Sequence, residues 1–209
     1  MKTTTTIQKI KAHAILNQIP IIQDEVCSIL KLLIETFHIK KVLEIGTATS
    51  YSAHVMASSG ADVWTIERNT SRYEIAKKFL KDSDHQSQIH LIFDDALTHV
   101  LKENDFDLIF IDAAKSQYIT FFEKYQHYLH PNGLMIVDNI FFHHLDPLSV
   151  KRPTRQLLKK IEKFKLFLSS HASFHSHIID YGDGLSISYM NQDNYRDIVS
   201  IIQTSMDQI

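Results

Sequence analysis

The reading of the chain turns on Leu108-Ile109-Phe110-Ile111-Asp112-Ala113-Ala114-Lys115, taken with Leu134-Met135-Ile136-Val137-Asp138-Asn139. Each is an apolar run too short for a helix, and each stops abruptly at a carboxylate. Such a run reads as a strand buried on both faces, the kind from which parallel sheets are built. If the two strands are parallel neighbours, their ends lie roughly 5 Å apart. Asp112, Asp138 and Asn139 would then converge at one end of the sheet, an oxygen-rich set suited to a hard cation such as Mg²⁺. Lys115 would stand one turn beyond Asp112, beside the same point. Either Asp alone reads equally well as a helix cap or turn residue. Two of them, followed by Asn and Lys, favour the cluster.

Outward from these runs, strands and helices alternate. Residues 41–46, 62–67, 89–93, 106–111 and 134–137 read as strands. Helices are expected near 51–59, 71–80, from Ala96, and over 116–128, with a turn at Pro131-Asn132-Gly133. This alternation argues for a parallel α/β sheet. Before it, apolar residues at Ile7, Ile10, Ala14 and Ile15 suit a short helix. Asp24 is placed to cap a second helix over 25–37, with Val26, Ile29, Leu30, Leu33 and Phe37 inward. After it, 154–169 reads as a helix with Leu157, Ile161, Phe164 and Leu168 on one face. Residues 177–180 and 185–189 read as an antiparallel pair joined by Tyr181-Gly182-Asp183-Gly184. Residues 191–209 are polar with some helical spacing. The expectation is one domain over 1–209: N-terminal helices 1–40, core 41–190, extension 191–209.

Composition limits the function classes. Of 209 residues, 44% are hydrophobic and 22% charged, ordinary for a globular protein. A formal net charge of −2 supplies no global field for nucleic acid, though a local patch is compatible with it. Cys27 is the single cysteine, which excludes an intramolecular disulfide and a cysteine-based zinc site. Met1 to Gln8 lacks the apolar core of a signal peptide, and no apolar run approaches the ~20 residues that span a bilayer. A cytoplasmic protein is expected.

Three further strand ends carry chemistry. Glu44-Ile45-Gly46-Thr47-Ala48-Thr49-Ser50 occupies the first strand-to-helix turn, where ligands bind in doubly wound folds. The Gly-x-Gly-x-x-Gly dinucleotide pattern and the Gly-x-x-x-x-Gly-Lys phosphate loop are both absent. The turn therefore suits a ligand without phosphates. Glu67 ends the second strand, where an acid can accept from two ribose hydroxyls. Asp94-Asp95-Ala96 follows the third, where Asp95 reads either as an adenine-side contact or as a helix cap. Together these ends describe an adenosine-shaped slot.

At this point the chain resembles a known family. Leu43-Glu44-Ile45-Gly46-Thr47 with Tyr51-Ser52-Ala53, Ile66-Glu67-Arg68, Asp95-Ala96, Phe110 to Lys115, and Val137-Asp138-Asn139 match the metal-dependent O-methyltransferases of the catechol and caffeoyl-CoA type. The match runs over roughly residues 20 to 190. Ile19-Pro20-Ile21-Ile22, Ile45 to Ala48 and Gly182 to Ser188 look most like the bacterial branch that methylates 5-hydroxyuridine in tRNA. The resemblance implies a Rossmann-like S-adenosylmethionine methyltransferase fold: a mostly parallel sheet, a C-terminal antiparallel strand pair and helices on both faces. It implies cofactor contacts from Ile22, Glu44, Gly46, Thr47, Ser52, Glu67, Asp95, Ala96 and Asp112. It implies Mg²⁺ held by Asp112, Asp138 and Asn139, with Lys115 as general base, and a homodimer. The implied reaction is O-methylation of wobble 5-hydroxyuridine to 5-methoxyuridine. The alternatives are a small catechol-like or caffeoyl-CoA-like acceptor, or a non-catalytic nucleotide- or tRNA-binding module. Two departures stand out: Ser50 where relatives usually carry glycine, and Asp94 where glycine often precedes the Asp-Ala pair.

The remaining features are less specific. Arg152, Arg155, Lys159 and Lys163 share one helical face, which reads as a solvated face or as a tRNA phosphate contact. His143-His144 reads as loop, with the acceptor side as the other option. Phe141 and Phe142 read as packing, with base stacking as the other option. Trp64 is expected in the core.

Overall fold

The computed structural model describes residues 5–142, 145–146 and 148–207; His143 and His144 lie outside them. The chain forms two compact units, Met1–Val100 and Leu101–Ile209. Among the described residues no helix is long and apolar enough to cross a membrane.

The first unit opens with α1 (Thr6–Leu16), held by a reciprocal capping box between Thr5 and Gln8. In α2 (Asp24–Thr36) the expected apolar stripe Val26, Ile29, Leu30 and Leu33 is buried. Asp24 is not the cap of this helix. Gln23 holds that position, and Asp24 is its first residue. The Asp24 carboxylate instead accepts from the Lys11 ammonium of α1 at 2.5 Å. Three strands follow with their helices: β1 (Lys41–Ile45), α3 (Tyr51–Ser58), β2 (Asp62–Glu67), α4 (Thr70–Lys81) and β3 (Ile89–Phe93). β1 pairs in parallel with β2, and β2 with β3. The helix expected from Ala96 does not form; the segment after β3 is a turn, because Asp95 closes back on Leu97. Trp64 is half-buried rather than core. It stacks on His90 at 4.2 Å, with the Lys41 ammonium over its ring at 5.2 Å.

The second unit holds β4 (Phe106–Ile111), a single 3-10 turn Lys115–Gln117, α5 (Tyr118–Tyr125), β5 (Leu129–Val137), α6 (Arg152–Ser170), β6 (His175–Ile179), β7 (Leu185–Tyr189), α7 (Gln192–Tyr195) and α8 (Ile198–Met206). β4 and β5 are parallel, while β7 runs antiparallel to both β5 and β6. Within the first unit the strand order is β3-β2-β1, and within the second it is β4-β5-β7-β6. The expected turn at Pro131-Asn132-Gly133 is an irregularity inside β5. Pairing jumps from Phe106↔Leu129 to Leu108↔Leu134, so the extra residues bulge out without ending the strand. The displaced Asn132 is tied down by Asn191 at 2.8 Å and by the Tyr195 hydroxyl.

α6 buries Leu158, Ile161, Phe164 and Leu168, with Leu157 only half-buried. Phe164 lies 5.3 Å from Tyr118, and Phe122 meets Phe174 at 5.1 Å, both as ring centroids. Burying each such ring stabilises the unit by about 2–3 kcal/mol. This cluster fixes Tyr118, and through it the end of β5.

Candidate functional site

In the first unit, the turn after β1 is built from residues in backbone conformations that side chains disfavour. Gly46, Ala48 and Ser50 have φ of 104°, 48° and 66°. Ser50 caps α3 from the left-handed region, which explains why a glycine suits that position and what a Cβ costs there, about 1–2 kcal/mol. The Ser50 carbonyl accepts from both the His54 backbone N–H at 3.0 Å and its Nδ1 at 2.7 Å. Burial lowers the His54 pKa, keeping the ring neutral with its proton on Nδ1.

Among the expected cofactor contacts, Glu44 lies inside the fold. Its side chain is 0% exposed. Thr65 Oγ1 donates to Glu44 Oε2 at 2.5 Å, and Thr47 Oγ1 lies 2.6 Å from Thr65 Oγ1. Since the Thr65 proton goes to Glu44, Thr47 supplies the proton of the second bond. Glu44 therefore supports the turn from beneath, and Thr47 contributes its side chain to that support. Ser52 and Ile22 are also buried.

Glu67 behaves differently. Its two carboxylate oxygens accept from Ala48 N at 2.9 Å and Asn69 N at 2.8 Å. These bonds lock the carboxylate while leaving each oxygen a further lone pair, the arrangement two vicinal hydroxyls require. Asp95 closes the next turn, accepting from Leu97 N at 2.9 Å through one oxygen and from Arg68 at 3.2 Å through the other. Ala96 beside it is buried. Asp94, the residue that replaces glycine, accepts from the Asp95 N–H at 2.7 Å and pairs with His99 at 2.8 Å. It reinforces the turn.

In the second unit, β4 and β5 end in register, Ile111 opposite Val137. Asp112 and Asp138 follow directly, and Asp138 N donates to the Ile111 carbonyl at 3.1 Å. The expected convergence of these strand ends is present. Asp138 is 2% exposed. Burial first, then the Asp112 charge, pushes its pKa up to about 7, against an opposing hydrogen bond from the Asn139 N–H at 2.7 Å. Lys115 Nζ donates to Asn139 Oδ1 at 2.5 Å. The Tyr118 hydroxyl donates to the Asp138 carbonyl at 2.7 Å, and burial with the surrounding Asp112, Asp138 and Asp183 holds its pKa well above the usual phenol value. Phe142 and Phe141 are half-buried, with Lys115 and Lys165 over their rings at 5.5 and 4.9 Å. Arg152, Arg155, Lys159 and Lys163 are all exposed along α6.

Sequence reasoning missed Thr65, Tyr118 and His54, and gave no role in the site to Arg68 or to the pair Asp183-Gly184. Only the last left a signal: two glycines flanking an acid mark a close backbone approach as well as a hairpin.

The O-methyltransferase family matches residues 2–190 of the chain. O-methyltransferase ankF of Aspergillus thermomutatus is 35% identical over 108 residues, 48% of this chain and 45% of that protein, so the chain aligns with under half of that relative's length. Caffeoyl-CoA O-methyltransferase of Populus kitakamiensis is 28% identical over 76% of this chain and 73% of its own. A solved structure from Staphylococcus aureus, named as a candidate caffeoyl-CoA O-methyltransferase, shares 32% identity with a TM-score of 0.84, covering 90% of this chain and 93% of that one. The S-adenosylhomocysteine-bound methyltransferase PaMTH1 of Podospora anserina shares the fold, with a TM-score of 0.80 at 20% identity over 89% and 88% of the two chains.

Proposed function

The chain belongs to the O-methyltransferase family, and on that premise we propose that it transfers a methyl group from S-adenosylmethionine to one of two adjacent oxygens on a small catechol-like or caffeoyl-CoA-like acceptor. The observation that carries this is the pair of register-matched strand ends: Asp112, the buried Asp138, and Asn139 in contact with Lys115. The names of the Populus and Staphylococcus relatives support the acceptor class.

The donor set fits a divalent cation. Asp112 and Asp138 repel each other across a poorly solvated point, and that repulsion is part of what raises Asp138. Among the described residues no three His, Cys, Asp or Glu side chains gather at one point, so the third protein oxygen would come from Asn139. When bound, Mg²⁺ supplies charge stabilisation for two adjacent acceptor oxygens. Asp112, Asp138 and Asn139 would hold it. Lys115 Nζ takes the proton from the acceptor hydroxyl as that oxygen bonds to the methyl carbon and the carbon–sulfur bond breaks. Glu67 holds the ribose hydroxyls of the cofactor, and Asp95 with Ala96 lines its adenine side. Tyr118 fixes the main chain of Asp138 and so limits its movement during turnover.

The test incubates the protein with S-adenosylmethionine, Mg²⁺ and either a catechol or hydroxyuridine-containing tRNA. Methylation of the catechol, abolished by EDTA, is expected. Turnover in excess EDTA would remove the metal from the reading.

One observation favours a second acceptor. The exposed stripe Arg152, Arg155, Lys159 and Lys163 offers spaced cations that a small acceptor does not need, and tRNA phosphates would use them. On that reading the 5-hydroxyl and 4-carbonyl of the base replace the catechol oxygens. Methylation of tRNA alone would then be seen, and Lys159→Glu with Lys163→Glu would weaken tRNA binding while leaving cofactor binding intact.

A further inference from the structure

Asp138 and Asn139 are consecutive, yet both are asked to serve one point. In a regular strand, successive side chains face opposite ways. The ladder between β5 and β7 shows how this is overcome. Its last regular pair is Val137↔Ser186. Beyond it, Ile140 N donates to the Gly184 carbonyl at 2.9 Å and Phe141 N to the Asp183 carbonyl at 2.8 Å. Three steps on one side, Val137 to Ile140, match two on the other, Ser186 to Gly184. Asp138 and Asn139 together therefore oppose Leu185, which is a β-bulge. Asn139 sits at φ 60°, a left-handed backbone that departs from the strand at this point.

The far edge of the bulge is pinned by a tight fit. Gly184 has φ +82°, and a Cβ built on it would lie 2.3 Å from the Phe141 ring. The ring thus rests on the glycine. Asp183 is 3% exposed, and Gly184 N donates to the Tyr181 carbonyl at 2.9 Å, closing the turn. Phe141 is covered on another side by the Lys165 ammonium.

We propose that the β6–β7 turn, through the Asp183 carbonyl and the bare Cα of Gly184, is the positioning element that holds Asp138 and Asn139 in the bulge and turns both toward Lys115. The proposal rests on the reading of Asp138 and Asn139 as cation ligands. Asp183 and Gly184 touch neither substrate nor cofactor in it; they act through residues 138–141.

The variant Gly184→Ala tests this in the full-length protein, with Gly60→Ala as control. Gly60 has φ +97° with nothing within 4 Å of a Cβ, so it carries the same backbone strain without the clash. Three quantities are read: amide hydrogen exchange of the peptide covering 138–142, calorimetric affinity for Mn²⁺, and calorimetric affinity for S-adenosylhomocysteine. In Gly184→Ala the peptide is expected to exchange faster, and Mn²⁺ affinity to fall by about tenfold or more. S-adenosylhomocysteine affinity is expected to stay within about twofold, and Gly60→Ala to change none of the three. The double variant Gly184→Ala/Phe141→Leu makes room for the Cβ and is expected to regain part of the Mn²⁺ affinity; it also serves should the single variant fail to fold. Unchanged exchange of 138–142 in a folded variant overturns the proposal. So does a parallel loss of Mn²⁺ and S-adenosylhomocysteine affinity, which marks general destabilisation. If the unaltered protein takes no Mn²⁺ while the exchange still responds to Gly184→Ala, the bulge stands and the cation reading falls.

Discussion

The turn after β1 and the strand ends after β4 and β5 start from the same pattern, an apolar run closed by an acid, and treat that acid in opposite ways. Glu44 and Glu67 are held by hydrogen bonds from their own surroundings, a threonine hydroxyl for one and two backbone N–H groups for the other. Asp138 is as deeply buried, but it faces the like charge of Asp112, and its pKa rises to about 7. A carboxylate held by hydrogen-bond donors of its own fold acts as structure or as a preset acceptor. A buried carboxylate beside a second one stores an electrostatic demand that a ligand can meet. On the proposed reading, the first unit would receive neutral hydroxyls and the second positive charge.

That contrast can be attacked at either side. The largest effect is expected from Asp138→Ala. Its loss should reduce kcat/KM for methyl transfer by roughly 10²–10³-fold, in the range seen when one charge-stabilising group is removed. The affinity for S-adenosylhomocysteine should stay nearly constant; a joint loss of both would break the division between the two regions. Lys115→Met should lower kcat by about 10²–10⁴-fold with little change in the cofactor KM, as expected for removal of a general base. Glu67→Ala should act on binding instead. Losing hydrogen bonds to a charged acceptor costs about 1.5–3 kcal/mol, so the KM for S-adenosylmethionine should rise by about tenfold to a hundredfold.

Two smaller effects sharpen the account of the turn. Ser50→Gly relieves a left-handed residue and should stabilise the protein by about 1 kcal/mol, raising Tm by about 2–4 °C in a thermal melt. His54 gives a pH dependence. Burial lowers its folded pKa below the ordinary imidazole value of 6.5, so the unfolded chain binds the extra proton first. Its contribution to stability is full above pH 6.5 and is lost as pH falls through the folded pKa. The acid limb of a Tm-versus-pH profile should therefore be shallower in His54→Gln. An unchanged limb would remove His54 from the account of the turn.

Much of the molecule was legible in the residues. Strand ends at Ile111 and Val137 could be read because fully buried parallel strands need unbroken apolar runs, and the following acids mark where burial stops. α2 and α6 could be read from spacing, with an error of one residue at Leu157 and Leu158, because neighbouring positions differ by only 100° around a helix. The expected helix from Ala96 and the expected turn at Pro131-Asn132-Gly133 failed for a common reason. Asp95 and Gly133 are local signals, and local signals do not report the partner strand. Asp95 spent its acceptors on Leu97 and Arg68, while Gly133 was admitted into a strand because a Cβ there would lie 2.8 Å from the Phe106 carbonyl.

By itself, the order of residues determined the alternation of strands and helices, the acids that close the strands, and the candidate set Glu67, Asp95, Asp112, Lys115, Asp138 and Asn139. Those follow from hydrophobic period and residue chemistry, which are properties of short stretches. Tertiary structure alone decided that Glu44 lies beneath the turn, that Asp138 is strained by Asp112, and that Asn139 is turned by a bulge pinned at Gly184. Each of these depends on groups 21 to 44 positions apart in the chain meeting at one distance, and no local pattern encodes such a meeting.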